Sequence, residues 1–321
     1  MLYLDEKNIK EMGIDWDRTI SVIEETVKCL YRNETAQPIK PYLRYKEPQN
    51  RIIAMPAYVG GKVDRAGIKW IASFPDNINK GIQRAHSVTI LNEADSGVPI
   101  SIINTSMLSI IRTVSVSGLI IKYYKKYREL KNTTIGIIGW GPIGQHHLDM
   151  CINLLGDSIS KIYIYDLKGI DKLNLSAKDM KKVVVTDNWQ EVYLNSNILI
   201  TCTASKDRYI DIKPSNGSLL LNVSLRDYKK EVFPFIKESI IVDDWEEVCR
   251  ENTDIEMFHK ECGLNQDSAI SIKKIVCEEG MKNFSRSIPI MFNPMGMAVF
   301  DIAIASYYHD IAVENNIGKI L

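Results

Sequence analysis

A glycine-rich run, Gly139-Trp140-Gly141-Pro142-Ile143-Gly144, an acid at Asp166 and a lysine at Lys69 inside an apolar segment are where this sequence gathers groups able to do chemistry. The glycine spacing suits a pyrophosphate. Gly139 permits a tight turn, Gly141 lets backbone approach the phosphates, and Gly144 lets a helix lie close to a strand. The free N–H groups and positive dipole end of that helix face an anion. Asp166 stands 22 residues after Gly144. That is near the ~20-residue spacing at which a carboxylate takes the ribose 2′-hydroxyl of a dinucleotide. A carboxylate there repels a 2′-phosphate, so NAD is expected over NADP, although Lys168 close by keeps NADP open.

Lys69 is the candidate for acid/base work. A lysine inside an apolar strand loses hydration, which lowers its pKa. The competing reading is a lysine whose head reaches solvent from a sheet edge. Arg44 and Arg112 are candidates for a carboxylate clamp, because a guanidinium forks onto a carboxylate in a fixed plane. Arg84 stands in the same region, and an ordinary surface ion pair competes for all three. Asp227 follows an apolar run at the expected ligand edge of a sheet, where a turn or cap role is the bland alternative.

These residues need elements to hold them. Ile135–Ile138 and Lys161–Tyr165 read as strands around a helix with Ile143, His147, Met150 and Leu154 on one side, a βαβ unit. Val183-containing Lys182–Val185, Asn197–Thr203, Ser218–Ser224 and Ser239–Val242 continue the strand rhythm. This predicts an α/β fold with a doubly wound parallel sheet, its ligand-facing residues at strand C-termini: Thr203, Ser205, Val223, Ser224, Leu225 and Asp227. Upstream, Asp15 caps a helix to about Tyr31, Ala36–Gly61 holds two strands around the polar turn Lys46–Asn50, and Ala66–Phe74 is a strand with Lys69 and Ile71 on one side. Ser87–Leu91 and Pro99–Ile103 flank a hairpin signal, and Thr105 caps a helix from Met107 to Glu129. The polar end of that helix predicts a domain boundary near Lys131. The expected division is 1–131, completed by the C-terminal helix 297–321, and 132–296. Asp244–Ile275 reads as mostly helical, and Phe292–Gly296 as a turn into the last helix.

The composition narrows the function classes. Forty basic and forty acidic residues give a formal net charge of zero, which argues against nucleic acid or a membrane surface as partner. No apolar run is long enough to span a bilayer, and the N-terminal segment has no secretory pattern, so a cytoplasmic protein is expected. The six cysteines show no CxxC pair and read as reduced core thiols. His259 and Cys262 have helical spacing but no second pair nearby, so no metal is expected.

At these residues a resemblance emerges. Gly67-Ile-Lys-Trp70, Asp95–Pro99, Arg112-Thr113, the Gly139 fingerprint, Leu221–Asp227 and Phe292–Asp301 occur in order. The chain resembles the ornithine cyclodeaminase/mu-crystallin family over nearly its whole length. The resemblance implies that Lys69 and Arg112 surround a substrate carboxylate and the nicotinamide, with Thr113 also at the cofactor. It implies that Asp227 is catalytic and that Arg44 holds the carboxylate. It further implies a homodimer, with both chain ends forming an α+β substrate-binding and dimerisation domain. The segments Ala36–Tyr45, Asn50–Gly61 and Asn222–Tyr228 are similar to a branch acting in siderophore pathways. That branch oxidatively cleaves N-(1-amino-1-carboxy-2-ethyl)-glutamate, through an imine, to 2,3-diaminopropionate and 2-oxoglutarate. Two departures from the cyclodeaminases accompany this: Tyr-Lys-Lys follows Asp227, and Gly144 completes the fingerprint. Ornithine cyclodeamination, imine or ketimine reduction, alanine dehydrogenation and a non-enzymatic crystallin-type NAD(P)H-binding role are the alternatives.

Overall fold

The structure, a computed structural model, describes residues 1–170, 173 and 175–321. The chain divides into two compact units. Unit one is Met1–Ser115 with Gly296–Leu321, and unit two is Val116–Met295. Both ends of the chain enter unit one. The division falls inside the helix Met107–Tyr127 and not after it, as the boundary near Lys131 had placed it. The reason lies in the side chains. The first turns of this helix carry Arg112 to Asp301 of unit one. Later turns send the hydroxyls of Tyr123 and Tyr124 to the carbonyls of Val276 and Gly217 in unit two.

Unit one is built on an eight-stranded sheet whose long central strands are antiparallel: Arg51–Val59, Arg65–Ser73, Ala85–Glu93 and Pro99–Asn104. Leu2–Asp5 joins Pro99–Asn104 in parallel. Strand alternation puts Met55, Lys69, Thr89 and Ile103 on one face, all buried. Two helices of unit one cover apolar surface. Trp16–Tyr31 is capped by Asp15, whose carboxylate accepts from the Arg18 N–H at 2.9 Å, and it buries Trp16, Ile20, Ile23 and Val27 at helical spacing. Ala298–Glu314 is apolar nearly all round, which is the pattern of a helix enclosed by its surroundings, yet it carries Asp301.

Unit two is an eight-stranded, wholly parallel sheet with helices between its strands. Thr133–Ile138 is the third strand from one edge. The chain first adds strands on one side, Ile159–Tyr165 and Val183–Val185. It then crosses to the other side with Ile198–Thr201 and Leu219–Asn222. The order therefore reverses between Thr133–Ile138 and Ile198–Thr201, and ligands of open α/β sheets bind outside the strand C-termini at such a point. Two local readings change. Phe292 and Asn293, read as the start of the turn Phe292–Gly296, belong to a strand, Ile290–Asn293, wedged between Leu219–Asn222 and Ile240–Val242. Its four residues are all buried, so they show no alternation to mark them. Within Asp244–Ile275 only Trp245–Val248, Asp254–Cys262 and the start of Ile272–Cys277 are α-helical. Among the described residues no helix is long and apolar enough to cross a membrane, no cluster of potential ligands would hold a metal, and none of the six cysteines forms a disulfide.

Candidate active site

The three fingerprint glycines of unit two have three different causes. Gly139 has φ +102°, and a Cβ there would lie 2.6 Å from the Cys202 carbonyl oxygen. A Cβ on Gly144 would lie 2.1 Å from the Gly139 carbonyl oxygen, so the helix Pro142–Leu155 can approach the strand only through a glycine. Gly141 is different. Its φ is −74°, open to any residue, and a Cβ would meet no protein atom within 4 Å. Nothing in the fold requires a glycine there. A dinucleotide phosphate approaching the helix N-terminus does require one. Gly141 is the N-cap, with no side-chain cap on the helix, so the first N–H groups, those of Ile143 and Gly144 included, face outward from Pro142.

Asp166 lies at this loop. Its Oδ2 accepts from the Trp140 N–H at 2.7 Å and its Oδ1 from the Lys168 N–H at 2.8 Å. The carboxylate thus stands at the fingerprint, fixed in direction by two backbone donors. His147, on the buried side of the helix, donates from Nδ1 to the Ile143 carbonyl at 2.8 Å and meets the Ser117 hydroxyl through Nε2 at 2.9 Å. Burial pushes its pKa down to about 4, which keeps it a neutral core residue.

At the neighbouring strand ends the structure gathers Thr203, Ser224 and Asp227. The Thr203 hydroxyl donates to Asp227 Oδ1 at 2.5 Å, and the Ser224 hydroxyl donates to Oδ2. The Ser205 N–H reaches the Thr203 oxygen at 3.3 Å, and the Val223 and Ser224 N–H groups both turn back to the Thr201 carbonyl. Leu225 has φ +63°, a left-handed position for a branched side chain, held because its N–H donates to Asn222 Oδ1 at 3.0 Å. Burial raises the pKa of Asp227 above the usual carboxylate range, opposed by the Ser224 and Thr203 hydroxyls and assisted by the nearby Asp254 charge.

Asp254 is a residue that sequence reasoning missed. Its Oδ2 accepts from the backbone N–H groups of Asp227 and Tyr228, each at 3.1 Å, and from Asn222 Nδ2 at 3.0 Å. Its Oδ1 takes Arg208 Nε at 2.6 Å. One buried carboxylate therefore shapes the loop that presents Asp227. In the sequence it looks like an ordinary acid in a first helical turn.

Unit one brings Lys69 and Arg112 together on Asp301. Lys69 Nζ and Arg112 Nε both lie 2.9 Å from Asp301 Oδ1. All three side chains are at least nine-tenths buried. Lys69 Nζ also lies 3.4 Å from the Ser109 hydroxyl. Burial depresses the Lys69 pKa to about 8. Asp301 opposes that fall, while the charges of Arg112 and Lys40 add to it. Burial pushes Asp301 up, but Arg112 and Lys69 outweigh it and hold the carboxyl below its ordinary value. Gly296 lies flat against the guanidinium. A Cβ on it would fall 2.6 Å from Arg112 Nη1, and its φ is +88°. Lys40 Nζ donates to the Gly296 carbonyl at 2.6 Å, fixing that turn. Lys40, Gly296 and Asp301 were not assigned roles from sequence. The available signal for Asp301 was an acid inside an apolar helix, the counterpart of a lysine inside an apolar strand.

Thr113 turns its hydroxyl to the Ser109 carbonyl at 2.8 Å, within its own helix. Arg44 and Arg84 are not part of the Lys69 cluster. Arg44 is exposed, donates to the Pro48 carbonyl at 2.9 Å and lies 5.5 Å from the centre of the Tyr42 ring. Arg84 is partly buried just ahead of its strand, with its pKa lowered by burial and by the charge of Arg51.

The fold and these groups define a two-unit α/β protein with a glycine-rich dinucleotide loop in one unit and a buried lysine–aspartate–arginine cluster in the other. The ornithine cyclodeaminase/mu-crystallin family model matches residues 7–316, and the chain belongs to that family. The chain is 32% identical to the N-((2S)-2-amino-2-carboxyethyl)-L-glutamate dehydrogenase of Staphylococcus aureus, with 100% of this chain and 98% of that protein covered. Among solved structures, the Δ1-pyrroline-2-carboxylate reductase of Thermococcus litoralis in complex with NADH and L-proline matches with a TM-score of 0.86 at 21% identity, covering 100% of both chains. An archaeal alanine dehydrogenase dimer with bound NAD matches with a TM-score of 0.81 at 22% identity, covering 99% of this chain and 98% of that one.

Proposed function

We propose that this protein is an NAD-dependent dehydrogenase that cleaves the secondary amine of N-(2-amino-2-carboxyethyl)-glutamate to 2-oxoglutarate and 2,3-diaminopropionate. The observation that carries the reading is Lys69: a buried amine with a pKa of about 8, fixed on Asp301 beside Arg112. Full-length similarity to the staphylococcal dehydrogenase supports the choice of substrate. The open space over Gly141 and the carboxylate of Asp166 at the loop support NAD. Thr113, Thr203, Ser205, Val223, Ser224 and Leu225 are our further assignments to the cofactor.

Bound NAD would supply the acceptor for a hydride from the α-carbon of the glutamate part. Arg112 holds the α-carboxylate through its terminal N–H groups, and Asp301 fixes the guanidinium plane through Nε. Lys69 Nζ, when neutral, takes the proton that the secondary amine loses as its C–N bond becomes an imine. It gives that proton back to the imine nitrogen as water adds, then, neutral again, takes a proton from the added water and passes it to the departing nitrogen, so that the C–N bond breaks, the carbinolamine opens to the 2-oxo acid and a free diamine, and the remaining hydroxyl proton leaves to solvent. One water is consumed and one hydride leaves the substrate. Asp227, its pKa raised by burial, is assigned to assist proton transfer or water activation. Lys69 and Arg112 have separate tasks, so loss of the first lowers kcat and loss of the second raises KM.

A second copy of the chain is our candidate for the open face of the unit-one sheet. There Ala54, Trp70 and Val88 form one cross-strand row and Pro56, Ile68 and Ile90 the next, with Trp70 45% exposed. Apolar rows of this kind on a sheet face mark an interaction surface. The diamine product suits a place in siderophore synthesis in the cytoplasm.

The test is a mass-spectrometric product screen with NAD. We expect equimolar 2-oxoglutarate, 2,3-diaminopropionate and NADH from the conjugate. Proline and ammonia from ornithine, with the conjugate untouched, would replace the reading by cyclodeamination. NADH binding with no turnover of any amine or imine would leave a binding protein.

A further inference from the structure

Lys69 has a proton to move and little surface to move it through. Its side chain is 2% exposed, and Nζ has two partners among the described residues: Asp301 Oδ1 at 2.9 Å and the Ser109 hydroxyl at 3.4 Å. The carboxylate is a poor route outward. Lys69 and Arg112 already share its Oδ1 and hold its pKa below the ordinary value, and its Oδ2 is buried with no hydrogen-bond partner. A carboxylate placed in this way fixes the amine in direction but does not carry its proton away. Ser109 is the other partner. It is uncharged, partly exposed and near the start of the helix Met107–Tyr127.

The Ser109 hydroxyl also departs from the habit of its position. Inside a helix, a serine or threonine hydroxyl commonly turns back to the carbonyl four residues earlier. Thr26 and Thr113 both do so at 2.8 Å, Thr113 onto the carbonyl of Ser109 itself. Ser109 makes no such bond. Its oxygen accepts from Nζ, and the hydroxyl's own proton has no acceptor among the described residues. Ser109 stands three residues before Arg112, so hydroxyl and guanidinium occupy one face of the helix. A contact of 3.4 Å is long for a hydrogen bond, but bonds between reacting groups are often long before substrate binds and tighten afterwards.

We propose that the Ser109 hydroxyl relays protons between Lys69 and the reacting nitrogen of the substrate. The inference rests on the reading of Lys69 as the acid/base group, and it adds the group that touches the nitrogen. As neutral Nζ takes the hydroxyl proton, Oγ takes the proton leaving the nitrogen. One O–H bond breaks, another forms, and the hydroxyl ends neutral. The reverse movement carries a proton from the Lys69 ammonium back to the nitrogen. A hydroxyl suits this task because it donates and accepts at one atom and rotates between the two directions.

The experiment measures exchange of the Lys69 Nζ protons with water by NMR. It uses the full chain with isotope-labelled lysine, at a pH below the Lys69 pKa of about 8, and loss of the signal in Lys69→Met assigns it. Ser109→Ala deletes the hydroxyl and leaves in place the charges that act on Nζ, those of Asp301, Arg112 and Lys40. We expect exchange to slow at least about tenfold, and kcat for cleavage of the conjugate to fall by a similar factor or more, since acid–base groups typically supply ~10²–10⁴-fold. NADH affinity, KM and the melting temperature should stay nearly unchanged. Ser109→Thr keeps a hydroxyl and should bring both rates back to within a few-fold of wild type. A serine that only packs gives the opposite sign, because a gap beside the amine admits water and speeds exchange. Unchanged or faster exchange in Ser109→Ala, or wild-type kcat in that variant, would overturn the relay. The exchange readout needs no turnover. Slowed exchange in a protein that leaves the conjugate untouched keeps the relay and loses the proposed reaction, and cleavage at full kcat without the hydroxyl does the reverse.

Discussion

Replacing Asp301 with asparagine removes one negative charge and little volume from the Lys69 cluster. Lys69 is then left beside Arg112 and within the field of Lys40, without the carboxylate that opposed their effect on it. The sign follows directly: the protonated amine loses its stabilising partner, so its pKa falls below about 8. For charges 2.9 Å apart, an effective dielectric of ~20 gives an interaction of about 6 kcal/mol, or roughly four pKa units, as an upper bound. Asparagine keeps a hydrogen-bond acceptor, and the surroundings relax, so we expect a drop of at least about one unit, worth ~1.4 kcal/mol. The assay is kcat/KM for NADH formation as a function of pH, which reports the free enzyme. In the wild type, activity should rise as pH passes through about 8, where Lys69 becomes neutral. In Asp301→Asn that rise should move to lower pH, even though the maximum falls because Arg112 has lost its anchor. Lys69→Met should abolish the rise in whatever activity is left. An unmoved limb in Asp301→Asn, in a protein that still folds and binds NADH, would refute the assignment of Lys69 as the titrating base.

Gly141→Val should remove NADH binding, measured by fluorescence titration, while leaving the melting temperature nearly unchanged, because the new side chain meets no protein atom within 4 Å. Asp254→Asn should lower the melting temperature by on the order of 10 °C, because breaking a buried pair costs about 3–5 kcal/mol. It should also depress activity, since the same carboxylate holds the N–H groups of Asp227 and Tyr228. Trp70→Glu should convert a dimer to monomers in analytical ultracentrifugation by placing a charge in the middle of an apolar row.

What the sequence made legible was local. The βαβ unit from Thr133 to Asp166 was readable because its strand, turn, helix and acid fall within one short stretch, with Gly139 and Gly144 answering to nearby backbone and Gly141 to the expected phosphate. Lys69 stood out for a similar reason: a charged side chain in an apolar strand is conspicuous without knowing what it touches. Its counter-ion was not legible. Asp301 meets Arg112 across 189 residues of chain, and no spacing rule joins a strand lysine to an acid in a distant helix. Ile290–Asn293 was missed because a strand buried on both faces reads like any short apolar run. Arg44 was expected to help hold a carboxylate, and the structure sets its guanidinium over Tyr42 and on the Pro48 carbonyl of the following turn. The geometry of that turn is not written in any periodicity. Asp254 was hidden in plainer sight, since an acid in the first turn of a helix needs no further explanation.

The discontinuity of unit one also bears on how the protein comes to be made. Unit two is a single stretch, Val116–Met295, and can fold as it leaves the ribosome. Unit one cannot. Seven of its eight strands are synthesised before unit two, but the strand Lys319–Ile320 and the helix Ala298–Glu314 that buries the face carrying Met55 and Lys69 come only after it. Throughout the synthesis of unit two, Lys69 and Arg112 have no Asp301, and the apolar side of the sheet has no cover. The nascent chain therefore holds an open, cation-bearing sheet beside a completed domain. That interval is when chaperones would find this protein, and it ends with a single helix docking late and from far along the sequence.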